Sequence, residues 1–488
     1  MTIQPNITLL SDELVKRILD EAFQLLINPG IKVQSPAARQ LLEEAGAKVN
    51  HDTEVARLPD RLIYHAIETA PHQFYLYDRY GDPKVNYGGN EVQFDPGSSG
   101  VHILDPDTCE HRPSNTKDLV KIIKLTEMLP QFDAQSTAVI CNEIPKPISD
   151  LYRLYVLLSY SSKPIVTGAF AVPTLQVMVD MLAIFAGSQA ALADKPQAVF
   201  DVCPSPPLIW SNFGAQNLID LARAGVPAQM VSMPLAGATA PVTLVGAVVQ
   251  HTAECLSGLT IHQLAEPGAP IVWGGAPAIF DMRTGTTPMG AVETAMIDIA
   301  YTQMGKFIGL PTHTYLCASD AKLVDAQAGL ESGISAILGA LAGVNMISGA
   351  GMLDFLACFS LEKLVIDAEI VAMAKRLLSG MDTPTKTLAT AMFEGINFKG
   401  DFLKQKITRD LFAKEQYLPS KVLDRDSIRG WHQDGDLDSL ARAKDQVQQL
   451  LNQYETPELP QDRLDDLYQL VNFQAVQAGM NSLPELAR

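Results

Sequence analysis

Basic residues are in deficit: 37 Lys and Arg stand against 55 Asp and Glu, a net charge of -18. A surface of that sign repels phosphate backbones and anionic lipid, so no nucleic acid and no membrane is expected as a partner. Cysteine is sparse and scattered, with six residues at 109, 141, 203, 255, 317 and 358 and no CxxC pair. That spacing fits neither a disulfide framework nor a zinc ribbon; reduced thiols in a cytoplasmic protein are the expectation. The nine histidines form no HxH or HExxH pair, and no His/Cys/Asp cluster has metal-ligand spacing, so no metal is assigned. GxxxxGK(S/T) and GxSxG are absent as well, which leaves P-loop and serine-hydrolase chemistry without support. The opening MTIQPNITLLSDELVKR has no basic stretch followed by an apolar core, so no signal peptide is expected. Long charge-free runs are rare too. Ser332 to Leu353 is long enough to span a bilayer, but it is dense in Gly and Ala, includes Asn345, and has helical spacing only in its first half. It reads as a buried helix followed by a buried strand.

What is present is apolar material in a regular rhythm. Apolar residues make up 47% of 488 positions, enough for one large barrel with additions or two to three ordinary domains. Residues 1–90 form a preface, an N-terminal helical extension. LSDELVKRILDEAFQLLINPG is an amphipathic helix with Ser11 as N-cap, and PAARQLLEEAGAKV is a second helix. From Val92 apolar strand-like runs alternate with helices. The strands are VQFDPGSSGVHIL, FDAQSTAVI, PIVTGAF, AVFDVCPSPP, PAQMVSMPLAG, PIVWGGAPAIF, PTHTYLCASD and VNMISGAG. Several open on Pro after a Gly-terminated helix, the punctuation of tight αβ turns. Eight such units over residues 91–380 predict a (β/α)8 TIM barrel. An open, doubly wound α/β sheet has the same local rhythm; the count of eight, and the lack of GxGxxG in the first unit, favour the barrel. Residues 381–488 turn charged and helical, a C-terminal helical extension packed on the barrel.

Barrel chemistry sits at the C-terminal ends of the strands. That rule nominates Phe94, Asp95 and Ser98 on the first strand, Cys141 and Asn142 on the second, and Phe170 on the third. Ser205 and Pro206 follow on the fourth, Met233 and Pro234 on the fifth, Trp273 and Phe280 on the sixth, His313, Tyr315 and Cys317 on the seventh, and Gly349 on the eighth. Phe94, Trp273, Phe280 and Tyr315 are candidate walls of a cage for a cation. Arg283, in the loop after the sixth strand, has the planar fork that suits a carboxylate, or is a surface arginine. His251 and Glu254 lie one turn apart on the fifth helix, as an acid/base pair or as a buried polar pair. Glu293 opens the sixth helix and favours its dipole. His313 and Cys317 share a strand face but stand roughly 13 Å apart by strand rise, so they form no dyad.

Several collinear stretches then become familiar together: PLAGATAPVTLVGAVVQHTAECLSGLTIHQLAEPGAPIVWGG, FDMRTGTTPMGAVETA, SDAKLVDAQAGLES, ALAGVNMISGAGML and SLEKLVIDAEI. With NPGIKVQSPAARQLLEEAGAKV and the C-terminal helices, the chain resembles the trimethylamine methyltransferase (MttB) superfamily over nearly its whole length. The resemblance implies a (β/α)8 barrel. The family's archaeal trimethylamine enzymes carry pyrrolysine a few residues before SDAK, where this chain has Cys317 in LCASDAK. It therefore resembles the non-pyrrolysine branch, whose members demethylate quaternary amines such as glycine betaine with a corrinoid protein as methyl acceptor. Carnitine, proline betaine and γ-butyrobetaine are alternative donors, and a non-catalytic betaine-binding barrel is an alternative of another class. No DxHxxG corrinoid signature is present. The expectation is that this chain binds no cofactor itself, the corrinoid (cobalamin) arriving on a cognate partner protein. Cys317 is expected on the pocket floor, not as a nucleophile. A homo-oligomer is the expected assembly.

Overall fold

The eight apolar runs form eight strands of one parallel sheet in the computed structural model, which describes residues 4–381, 388–394, 396, 398 and 400–486. They are β1 Gln93–Pro96, β2 Gln135–Ser136, β3 Ile165–Thr167, β4 Ala198–Val202, β5 Ala228–Met230, β6 Ile271–Gly275, β7 Thr312–Thr314 and β8 Met346–Ala350. The order is β1-β8-β7-β6-β5-β4-β3-β2, every neighbour parallel. The ring closes between β1 and β2. There the Asp133 N–H donates to the Phe94 carbonyl at 2.8 Å, and the Phe94 N–H donates to the Asp133 carboxylate at 3.0 Å. The expected TIM barrel is the observed fold. Its helices are α1 Thr116–Met128, α2 Ser149–Tyr160, α3 Val172–Ala186, α4 Asn212–Ala224, α5 Leu244–Ala265, α6 Val292–Phe307, α7 Ala326–Leu341 and α8 Leu361–Leu378. The charge-free run 332–353 divides between α7 and β8, and no helix among the described residues is long and apolar enough to cross a membrane.

Helix α5 shows how the flanking segments fit. It is apolar on nearly every face and buried along most of its length, because the barrel lies on one side and the N-terminal helices Asp12–Ile27 and Asp60–Thr69 on the other. Ser11 caps Asp12–Ile27 through the Leu14 N–H at 3.3 Å, as its position before the first apolar stripe requires. The preface is not purely helical. It also holds five strands of three to five residues, too short to show a period of their own. One hairpin, Phe74–Tyr77 with Pro83–Tyr87, closes the N-terminal end of the barrel. Leu76, Val85 and Tyr87 pack there against Ala134, Val166, Val199, Val272 and Met346. Among the described residues, that leaves the C-terminal mouth as the candidate end for a ligand.

Beyond α8 the helices Ser439–Gln453 and Gln461–Gln477 lie on α1, α2, α3 and α8 through Val447, Leu467 and Val471. The stretch 387–412, expected to be helical with the rest of the C-terminal extension, differs. Part of it lies outside the described residues, and the described part holds two short 3-10 turns before the helix Lys406–Glu415.

Candidate functional site

Above the apolar plug the barrel interior turns polar. The strands alternate side chains in and out, and the inward set here includes two carboxylic acids. On β1, Asp95 accepts a hydrogen bond from Ser348 of β8, and Ser348 in turn lies 3.0 Å from His313 Nε2 of β7. On β4, Asp201 accepts from Gln229 Nε2 of β5 at 2.7 Å and from the Tyr315 hydroxyl at 2.9 Å. Gln229 is held from below by the Tyr87 hydroxyl at 3.1 Å. Ser98 bonds the same Tyr315 oxygen at 3.0 Å. Gly274 leaves the room that His313 occupies, since a Cβ there would stand 3.0 Å from Nδ1.

These acids are strained electrostatically. Burial pushes Asp95 well above the usual carboxylate range, and the nearby Asp201 charge pushes the same way against the Ser348 hydrogen bond. Asp201 is pushed up to about 6 by burial, against the hydrogen bonds from Gln229 and Tyr315. Burial lowers His313 to about 3, so it is neutral. Among the described residues no Lys, Arg or His pairs with Asp201. Asp201 is nonetheless half-buried, the most exposed residue of β4. The wall around Tyr315 is apolar: Val231, Ala276, Ala278, Met289, with Cys203, Leu235 and Leu356 against them. A half-buried acid under an apolar wall, with no basic partner among the described residues, has the chemistry to receive a cation that brings apolar surface.

The nominated residues separate sharply. Tyr315 and His313 point into the barrel, and Phe170 stands on the rim, 46% exposed. Phe94 and Trp273 do not line the site. Asp95 and Gly274 take the inward positions, which turns Phe94 and Trp273 outward into the layer between sheet and helices; both are fully buried. Trp273 donates its indole N–H to the Tyr301 carbonyl of α6 at 3.0 Å. Phe280 is half-buried in the loop above β6. Arg283 is a surface arginine, its side chain 88% exposed and its fork occupied by Asp281 at 2.7 and 3.0 Å.

Cys317 is not on the pocket floor. Its φ of +64° breaks the strand alternation, and its N–H donates to Ser335 of α7 at 3.0 Å. The thiol is fully buried in the charge field of the Lys363–Asp367 pair of α8 and is pushed well above the ordinary thiol range by burial. Gly349 has a local structural role; a Cβ there would meet the Leu316 carbonyl at 2.3 Å, so glycine is demanded by the irregular step between Ser348 and Ala350. His251 and Glu254 form the buried polar network of the bland alternative. His251 bonds the Gly274 carbonyl at 3.1 Å, and Glu254 holds Leu208, Gln250 and Ser232.

Two residues that sequence reasoning passed over matter more. One is Asp201; the other is Arg153 of α2, fully buried with its guanidinium 4.6 Å from the Phe170 ring centre. Each had a signal: a charge inside an apolar stretch, Asp201 in AVFDV and Arg153 in LYRLYVLL.

The comparisons with known proteins agree with this architecture. The family model described as trimethylamine methyltransferase (MTTB) matches residues 1–479. The trimethylamine methyltransferase MttB of Desulfitobacterium hafniense is 30% identical over 92% of this chain and 90% of its own. MttB2 of Methanosarcina mazei is 32% identical over 96% and 95%. The glycine betaine methyltransferase of Desulfitobacterium hafniense is 28% identical over 93% and 94%. Among solved structures, the monomethylamine methyltransferase MtmB of Methanosarcina barkeri superposes with a TM-score of 0.55 over 97% of this chain and 89% of that one, at 11% identity, a likeness of fold.

Proposed function

Because the chain belongs to the trimethylamine methyltransferase (MttB) family, we propose that it moves a methyl group from a quaternary amine, glycine betaine first, to a corrinoid on a separate cognate protein. The observation that carries this reading is Asp201: a half-buried carboxylate at the C-terminal end of β4 that lacks a basic partner among the described residues and faces an apolar wall. The trimethylamine relatives are 30% and 32% identical and the betaine relative 28%, a margin that does not decide the substrate, so the choice rests on residues. Cys317 stands where the resemblance places pyrrolysine, and its buried thiol supplies no activating group to the mouth.

The chemistry asks little more. When the C–N bond of a quaternary ammonium breaks, its electron pair stays on nitrogen and a neutral tertiary amine leaves, so no general acid is needed. The corrinoid supplies the cobalt nucleophile that accepts the methyl. The chain's own residues bind and aim. Asp201 holds the cation, the wall around Tyr315 packs its methyl groups, and orientation supplies the rate. The pull of Asp201 fades as the nitrogen loses its charge, so it favours substrate binding and product release over transition-state stabilisation. The residues at the mouth fit a large macrocycle: Phe170, Met233 and Met282 are exposed on three βα loops. With reduced cobalamin as acceptor, glycine betaine should yield dimethylglycine by NMR while trimethylamine yields no dimethylamine. Equal rates on both would refute the reading.

A further inference from the structure

A second charged side chain is buried near the barrel rim. Arg153 donates from Nη1 to Ser99 Oγ at 3.1 Å and to the Thr137 carbonyl at 3.0 Å. Its Nε and Nη2, the two donors of the side-on edge of the fork, have no acceptor although both are buried. The adjacent acid does not serve them: Asp150 accepts from the Phe170 N–H and the Thr174 hydroxyl. Burial lowers Arg153 only to about 10, so the guanidinium is charged at neutral pH. A buried cation with an empty bidentate edge is costly unless an anion completes it, and a carboxylate matches that edge with two parallel hydrogen bonds.

Arg153 and Asp201 are linked through one peptide step. Ser99 accepts from Arg153, while the preceding Ser98 bonds the Tyr315 hydroxyl that donates to Asp201. Consecutive Cα atoms are about 3.8 Å apart. Both groups are thus tied to one dipeptide on the barrel rim, and the Tyr315 hydroxyl that donates to Asp201 lies within the electrostatic reach of the guanidinium. Phe170 lies over the guanidinium at the rim.

We propose that Arg153 binds the substrate carboxylate and is the specificity-determining residue of this site, selecting short betaines over quaternary amines without a carboxylate. The proposal rests on the reading of Asp201 as the cation receptor, and the experiment separates the two. Calorimetry on the full chain compares glycine betaine, choline, tetramethylammonium (cation alone) and 3,3-dimethylbutanoate (carboxylate alone) on wild type, Arg153→Lys and Arg153→Met. In wild type, betaine should bind at least tenfold more tightly than choline. Arg153→Met should weaken betaine and dimethylbutanoate by about 30-fold or more, as expected for one partner of a desolvated charge pair. Tetramethylammonium should bind wild type and both variants alike, which also reports that the variants are folded. Equal losses on betaine and tetramethylammonium, or an unchanged betaine affinity, overturn the proposal. If the variants do not fold, choline binding wild type as tightly as betaine overturns it. Tetramethylammonium failing to bind while dimethylbutanoate binds through Arg153 would refute the cation reading and leave Arg153 standing.

Discussion

Replacing Asp201 with Asn removes one charge and keeps the shape of the side chain between Gln229 and Tyr315. A quaternary nitrogen is shielded by its methyl groups, so it approaches a carboxylate oxygen to about 4.5 Å; at an effective dielectric of about 20 the attraction is roughly 3.7 kcal/mol. Desolvation offsets part of it, leaving about 2–3 kcal/mol, or a loss of about 30- to 150-fold in tetramethylammonium affinity for Asp201→Asn. The pH dependence follows from the same group. Because burial pushes Asp201 up to about 6, wild-type affinity should be flat above pH 7 and fall about tenfold for each further unit below pH 6. The variant should show no such fall. Stability runs the other way. An acid raised on folding contributes stability that is complete below its unfolded value of 3.8 and is lost as pH rises through about 6. Without ligand, at pH 7.5, Asp201→Asn should therefore melt higher than wild type. Titration calorimetry and thermal melts across pH 5–8 check both. An Asp201→Asn variant that binds tetramethylammonium as tightly as wild type, with the same pH profile, refutes the reasoning.

Other substitutions separate packing from chemistry. Trp273→Ala should cost about 3–5 kcal/mol of stability, seen in denaturant melts, with binding unchanged in the protein that remains folded. Cys317→Ala should leave demethylation measurable and give no S-methyl peptide by mass spectrometry, because the thiol lies buried against α7 and α8. Cys317→Val should be markedly less stable than Cys317→Ala, since a β-branched side chain is strained at φ +64°. Arg283→Lys should change neither betaine nor choline kinetics, its side chain being 88% exposed and paired with Asp281.

The barrel was legible in the chain because it is written twice, once in apolar strand runs and again in the helices between them. All eight strands fall inside the segments that the rhythm marked. Side-chain direction was not legible, because a strand inverts its two faces with a shift of one residue. Phe94 and Trp273 were drawn toward the ligand by that margin, while their neighbours Asp95 and Gly274 face the interior. At Cys317 the alternation itself fails: a positive φ after Leu316 turns the thiol away, and no residue type there signals it. Arg283 attracted attention because it sits in a loop where sites are found, whereas Arg153 reaches the mouth from inside an apolar helix. The useful signal was a charge in an element with no other reason to carry one, and Asp201 and Arg153 both show it.

A crystal structure of the chain with glycine betaine tests the central claim most directly. The account predicts the ammonium against Asp201 under the wall of Val231, Ala276, Ala278 and Tyr315, the carboxylate on the Nε–Nη2 edge of Arg153, and an N-methyl group turned to the open mouth. Betaine bound in the reverse sense, or at a site that touches neither residue, would contradict it.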